Sequence, residues 1–391
     1  MASTVIQPEM NGTRTGQQLA LYVHWPFCVS KCPYCDFNSH VRASIDQDEW
    51  REALLADLAH EAAVLPNRSL GSIFFGGGTP SLMDPATAEA IIASAKEHWH
   101  ASDDLEVTLE ANPNSAEAEK FADLAGAGVN RISLGLQSFD DRSLAFLGRA
   151  HSADEGLKAL ESAQKAVDRV SFDLIYALPG DTDEGWAADL NRALSLGTEH
   201  LSLYQLTIEP GTRFATMVAK HEFEPLDADR SASLFELTHE RSAAAGLPAY
   251  EISNHARPGG ESRHNLAYWR YQDYAGVGPG AHGRRLGMRT VRHKKPENFI
   301  SAVGRNAHGI SEEESLTDEE AAREALVMGL RLAEGIEPAA LGERFAGQPI
   351  VDDAAVDRMI AHGLMERDGP RVRTSPAGRL LLDSILAEIA A

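Results

Sequence analysis

Cysteine is nearly absent from this chain: there are three in 391 residues. All three, Cys28, Cys32 and Cys35, fall within eight consecutive positions. That excludes a disulfide framework, which needs paired cysteines spread along the chain. Cations are also scarce: 36 Lys and Arg face 58 Asp and Glu, for a formal charge of −22. This disfavours a nucleic-acid substrate, because phosphate binding depends on clustered Lys and Arg. No apolar run approaches bilayer-spanning length, so no transmembrane segment is expected. The first twenty residues include Glu9 and lack both an apolar signal core and an Arg-rich amphipathic pattern, so neither secretion nor organelle import is expected. Thiols grouped for metal belong in a reducing compartment, and the cytoplasm is the expected location. The remaining composition, 43% hydrophobic with 32 Gly and 18 Pro, is that of a globular protein with room for a barrel-sized domain and a smaller one.

The three cysteines read Cys-Val-Ser-Lys-Cys-Pro-Tyr-Cys, a Cys-x3-Cys-x2-Cys spacing. Soft thiolates suit zinc or iron–sulfur clusters. A four-iron cluster normally takes four such ligands, so three leave one iron open to an exogenous ligand. Zinc is the alternative, with His24 or His40 completing a Cys3His set. Structural zinc sites usually show two separated cysteine pairs, so the spacing favours the cluster.

From Leu21 onward short β-type runs alternate with helical ones. Strands are expected at 21–25, 72–75, 105–109, 131–134, 170–175 and 200–204. Residues 49–64 place Trp50, Leu54, Leu55, Leu58 and Ala62 at helical spacing. Strict alternation implies an α/β fold with a parallel sheet and right-handed crossovers. Six units are too few for an eight-fold barrel and suit an open, partial TIM-like (β/α)6 barrel. Chemistry in such folds sits at the C-terminal strand ends, where the cysteine loop, Gly76–Gly78, Glu110, Gln137 and Asp173 fall. The tail differs. Thr317-Asp-Glu-Glu320 is a capping-box pattern, followed by three helical segments and a hairpin expected at 364–374, a winged-helix-like α+β module. Its Arg367, Arg371, Arg373 and Arg379 leave a zinc-stabilised DNA-binding regulator as a third, weak reading. The expected organisation is an N-terminal flexible tail (1–20), the barrel (21–250), a connecting segment (251–310) and the C-terminal module (311–391).

Together the cysteine loop, the Gly-rich turn and the six-unit alternation resemble the radical S-adenosylmethionine (SAM) superfamily. The resemblance implies a [4Fe–4S] cluster on the three thiolates, with the methionyl amino and carboxylate groups of SAM on the fourth iron. The cluster's electron then breaks a sulfonium C–S bond to give a deoxyadenosyl radical. The cofactors carry that chemistry, and the protein orients them and excludes water. Tyr22-Val-His-Trp-Pro-Phe-Cys28, Phe75-Gly-Gly-Gly-Thr-Pro80, Gly135-Leu-Gln-Ser-Phe139 and Asp173-Leu-Ile-Tyr-Ala-Leu-Pro-Gly180 look like the HemN-type coproporphyrinogen dehydrogenases. By this resemblance Tyr22, Tyr34, Gly77, Gly78, Thr79, Glu110, Gln137, Arg149 and Asp173 line SAM.

Two departures refine the subgroup. Phe37 stands where those dehydrogenases carry a fourth cysteine, and only 21 residues precede Tyr22. Both departures match the HemW-type haem chaperones. Arg263-His264-Asn265-Leu-Ala-Tyr268-Trp269 matches their His-Asn-x-x-Tyr-Trp motif, which makes His264 the haem-ligand candidate and His282 the nearest alternative. The implied function is delivery of haem to acceptor proteins, with an electron donor such as a flavodoxin or ferredoxin. The alternative is radical oxidative decarboxylation of a porphyrinogen.

Overall fold

The structure, a computed structural model, describes residues 17–42 and 44–390. The expected tail therefore lies, for residues 1–16, outside the described residues. Six strands stand side by side and parallel in chain order: β1 (Gln18–Trp25), β2 (Ser69–Gly77), β3 (His100–Ala111), β4 (Arg131–Gln137), β5 (Arg169–Tyr176) and β6 (His200–Gln205). β1 begins three residues before the expected Leu21, because Gln18, Leu19 and Ala20 also pair with β2. Helices such as Gln47–Val64, Pro85–His98 and Asp183–Ser195 return the chain between strands.

Successive side chains on a strand point to opposite faces, and the two faces of this sheet have opposite chemistry. Leu21, Val23 and Trp25, Ile73 and Phe75, Val107 and Leu109, Ile132 and Leu134, and Phe172 and Leu174 share one continuous apolar core with the helices. The alternate positions are Tyr22, His24, Glu106, Glu110, Arg131, Ser133, Ser171 and Asp173. Strands covered on both faces by apolar layers read as unbroken hydrophobic runs. These alternate, so the inner face is polar. Towards the N-terminal strand ends, Glu106 takes ion pairs from Arg169 at 2.8 Å and Arg131 at 3.5 Å.

The segment 251–310, expected as a connector, builds both edges of the sheet. Strand β7 (Asn254–Ala256) pairs antiparallel with β6. A short helix, Arg263–Trp269, carries the chain across to the opposite edge. There β8 (Asp273–Val277) lies parallel to β1, and β9 (His282–Arg285), β10 (Met288–Arg292) and β11 (Ile310–Ser315) follow antiparallel. The described sheet has eleven strands and stays open. A buried ion network fastens the added edge to the helix Gln47–Val64: Arg292 pairs with Asp57 and Glu61, and Arg285 with Glu61.

The C-terminal module has its own core around Leu326, Val356, Met365, Val372 and Ile385. Thr317 and Glu320 form the expected capping box on the helix Asp318–Gly329, and strands β12 (Met365–Asp368) and β13 (Arg371–Thr374) form the hairpin. The arginines that invited a DNA reading are engaged within the module or against the barrel. Arg367 pairs with Asp357, Arg371 with Glu337 and Arg373 with Glu366, and Arg379 meets His239. Among the described residues no helix is long and apolar enough to cross a membrane.

Candidate functional site

β1 runs straight into the cysteine loop, and β2 into the Gly-rich turn beside it. The Gly78 amide donates to the Trp25 carbonyl and the Thr79 amide to the Phe27 carbonyl, both at 2.7 Å. These bonds extend the β1–β2 ladder past the strand ends and fix the turn against Cys28. Gly77 has φ +113°, and a Cβ there would come within 2.6 Å of the His24 ring. Only glycine fits that backbone.

Cys28, Cys32 and Cys35 line a cleft of about 570 Å³ at the C-terminal strand ends, within the range of small-molecule sites. Tyr34, Gly77, Gly78, Thr79, Glu110, Gln137 and Arg149 line the same cleft. A polar chain joins two of the sulfurs. The Thr79 hydroxyl donates to Cys28 Sγ at 3.5 Å and accepts from Asn112 Nδ2 at 2.9 Å. Asn112 Oδ1 accepts from Arg149 Nη2 at 2.6 Å, and Arg149 Nη1 lies 3.6 Å from Cys32 Sγ. Asn112 is not among the residues the sequence singles out. Its only signal was its place in the Glu-Ala-Asn-Pro run that ends β3.

Burial holds the Cys28 and Cys35 thiols above the usual range, with neighbouring thiols adding to it. They are not activated nucleophiles, and a metal is what converts such thiols to thiolates. The fourth ligand of a Cys3His zinc site is not to hand. His24 bonds Tyr22 OH through Nδ1 at 3.0 Å and the Asn38 carbonyl through Nε2 at 2.9 Å, and His40 bonds Asn38 Oδ1. Among the described residues no three His, Cys, Asp or Glu side chains group as a single ion requires. The donor set fits a cluster held by three thiolates.

Glu110, on β3, accepts from the Gly77 amide at 3.3 Å. Burial, then the nearby Asp173 carboxylate, raises its pKa to about 8, while the Gly77 bond opposes the shift. Asp173, on β5, is raised to about 6 by burial, against a hydrogen bond from Ser202 and the charges of Arg149 and Arg131. It stands beside Glu110 and is not among the residues lining the cleft. Gln137 closes β4 beyond a register shift, in the left-handed region at φ +68°. Its buried Oε1 and the Nε of Arg149 have no partner among the described residues. Two orphaned polar atoms on residues of one cleft, with a buried carboxyl group that a cation would ionise, fit an amino acid-bearing ligand such as SAM. That group supplies the homolytic chemistry when bound. The residues that would hold it are Glu110, as an acceptor, and Arg149 through its unpartnered Nε, since both of its Nη atoms are engaged by Cys32, Asn112 and Gly135.

Tyr22 falls elsewhere. It lines a second cavity, of about 760 Å³, which meets the first at Asp36, Phe37, Gly77 and Glu110. His264 lines this cavity too, but it is buried with both ring nitrogens committed: Nδ1 to Ser72 Oγ at 3.0 Å and Nε2 to Tyr268 OH at 3.1 Å. Asn265 and Tyr268 line the same cavity, and Trp269 does not. Asn265 donates to Tyr250 OH, Tyr268 packs on Tyr274, and Trp269 packs with Tyr250 and Leu332. Trp269 therefore stands apart from the cavity that the other three motif residues share.

Comparison with known proteins agrees with this architecture. Residues 22–193 match the radical SAM superfamily model, and residues 316–381 match the HemN C-terminal domain. The chain is 37% identical over 97% of its length to mouse radical S-adenosyl methionine domain-containing protein 1, mitochondrial, covering 88% of that protein. To the haem chaperone HemW of Escherichia coli K12 it is 37% identical over 94% of its length and 97% of the relative's. The HemW of Mycobacterium tuberculosis is 35% identical, at 95% and 94% coverage. The solved structure of coproporphyrinogen III oxidase (HemN) from E. coli superposes with a TM-score of 0.80 at 21% identity, over 95% of this chain and 90% of that one. The fold and site define a radical SAM protein. The chain belongs, within that superfamily, to the HemN/HemW family.

Proposed function

We propose that this chain is a haem chaperone. It carries a [4Fe–4S] cluster on Cys28, Cys32 and Cys35, binds SAM against Glu110, Gln137 and Arg149, and holds haem for transfer to acceptor proteins in the cytoplasm. An electron donor such as a flavodoxin or ferredoxin would serve the cluster. The observation that carries the reading is near-full-length likeness, at 35–37% identity, to relatives named haem chaperone HemW. Phe37 at the position of the dehydrogenases' fourth cysteine supports it, as do the −22 charge against nucleic acid and the thiols' need for a reducing compartment.

Anaerobic reconstitution tests the whole reading on one sample. Iron and sulfide should appear in equal amounts, SAM should perturb the cluster spectrum, and haem should titrate to saturation. Coproporphyrinogen decarboxylation at catalytic rates would replace the chaperone with the decarboxylase. Stoichiometric zinc without sulfide would overturn both.

A further inference from the structure

We infer that His282, not His264, is the protein ligand to haem iron. The inference rests on the haem-binding reading above. Three histidines line the second cavity: His24, His264 and His282. An axial ligand needs a neutral imidazole with a free lone pair. The Asn38 carbonyl can only accept, so His24 carries its proton on Nε2 and its Nδ1 lone pair takes the Tyr22 hydroxyl. His264 lies between two hydroxyls, so both its nitrogens are occupied in either tautomer. The His282 ring makes no hydrogen bond among the described residues, and it is exposed at the cavity mouth. Partial burial, with the cationic Lys294 next, lowers its pKa and keeps the ring neutral at pH 7.

The position is built to present that ring. His282 opens β9, directly after the turn Gly278-Pro-Gly-Ala281. The Gly278 amide donates to buried Asp57 at 3.0 Å and the Gly280 amide to the His293 carbonyl at 3.0 Å. A Cβ on Gly276 would collide with the His282 carbonyl, so glycine there lets the two strands close. Asn38, on the cysteine loop, donates to the Pro279 and Lys294 carbonyls, both at 2.9 Å. The turn bearing His282 is thus tied to the loop bearing the cluster. The cavity below offers Tyr22, Phe74, Tyr268 and Tyr274 as apolar walls. Lys294 also lines it, makes no ion pair among the described residues, and can meet a propionate.

The test compares parent, His282→Ala and His264→Ala proteins, each reconstituted with cluster and titrated with ferric haem. His282→Ala should bind haem at least about ten-fold more weakly and change the Soret band, with iron and sulfide content and circular dichroism unchanged. Added imidazole should restore the parent spectrum. His264→Ala removes part of the cavity lining and should weaken haem binding, yet keep the parent's Soret position because the iron ligand is retained; a Soret shift in this variant would overturn the assignment. A His282→Ala spectrum and affinity equal to the parent's would overturn the assignment while leaving the chaperone reading intact. A parent that binds no haem would overturn both.

Discussion

Replacing Glu110 by Gln separates what this carboxylate costs the fold from what it gives a ligand. Its pKa stands at about 8 against an ordinary 4.5. The folded protein therefore keeps a proton that the unfolded chain releases between those values. By linkage, stability present below pH 4.5 is lost as pH rises to 8. At about 1.4 kcal/mol per pH unit, the full penalty has a ceiling of about 5 kcal/mol. Gln carries no charge and avoids it. In urea titrations of the cluster-free protein, the Glu110→Gln variant should match the parent near pH 4.5 and exceed it increasingly up to pH 8.

Ligand binding should move the other way. A SAM ammonium beside Glu110 favours the carboxylate and pulls its pKa down, so binding at pH 7 should release close to one proton. Calorimetry in two buffers of different ionisation enthalpy reads this directly. The variant should release none and bind roughly ten- to hundred-fold more weakly, the size of a lost charge-assisted hydrogen bond of about 1.5–3 kcal/mol. Equal stability of the two proteins at pH 8 would refute the burial argument. Proton release unchanged by the substitution would refute the contact.

Other perturbations act on other parts of the molecule. Cys28→Ser, Cys32→Ser and Cys35→Ser should each lose a stable cluster, read as iron and sulfide, while far-ultraviolet dichroism persists because the core is built by the strand–helix units. Gln137→Gly relieves a left-handed backbone worth roughly 1–2 kcal/mol, so it should raise the urea midpoint while weakening SAM binding. Arg292→Ala strands buried Asp57 without its cation and leaves Glu61 with Arg285 alone, and should cost about 3–5 kcal/mol, seen as a large fall in melting temperature. Asn112→Ala cuts the chain between Thr79 and Arg149. Looser hydrogen bonding to the thiolates should lower the cluster's reduction potential, measured by anaerobic redox titration.

The six parallel strands were legible because their apolar positions recur at period two and turn chemistry marks their ends. The C-terminal module was legible from a capping box and a Gly-Pro turn. The segment 251–310, expected as a connector, was not, because its strands are short and the first of them pair across the sheet. β8 pairs with β1 across about 250 residues of chain, and β9 to β11 depend on Asp57 and Glu61 for their anchoring. Nothing local announces the β1–β8 pairing, whereas β9 and β10 are a local hairpin closed by Leu286-Gly287.

At the site, residues that act through the backbone could be read in advance, and residues that act through partners could not. Cys28, Cys32 and Cys35 stand out by spacing and the glycine turn by its place after a strand, and all meet in one cleft. Gly77 illustrates a limit: a valine there would strike His24 before any ligand arrived, so its loss of SAM binding would not isolate a contact. Tyr22 and His264 matched a family pattern, yet hydrogen bonding decides what each can do. His264 is held by Ser72, 192 positions away in sequence, and by Tyr268 one helical turn on. His282 sits in an unremarkable Gly-Ala-His-Gly stretch and is the one cavity histidine with no such partner among the described residues. Availability of a lone pair is a property of the folded neighbourhood, and only the assembled sheet reveals it.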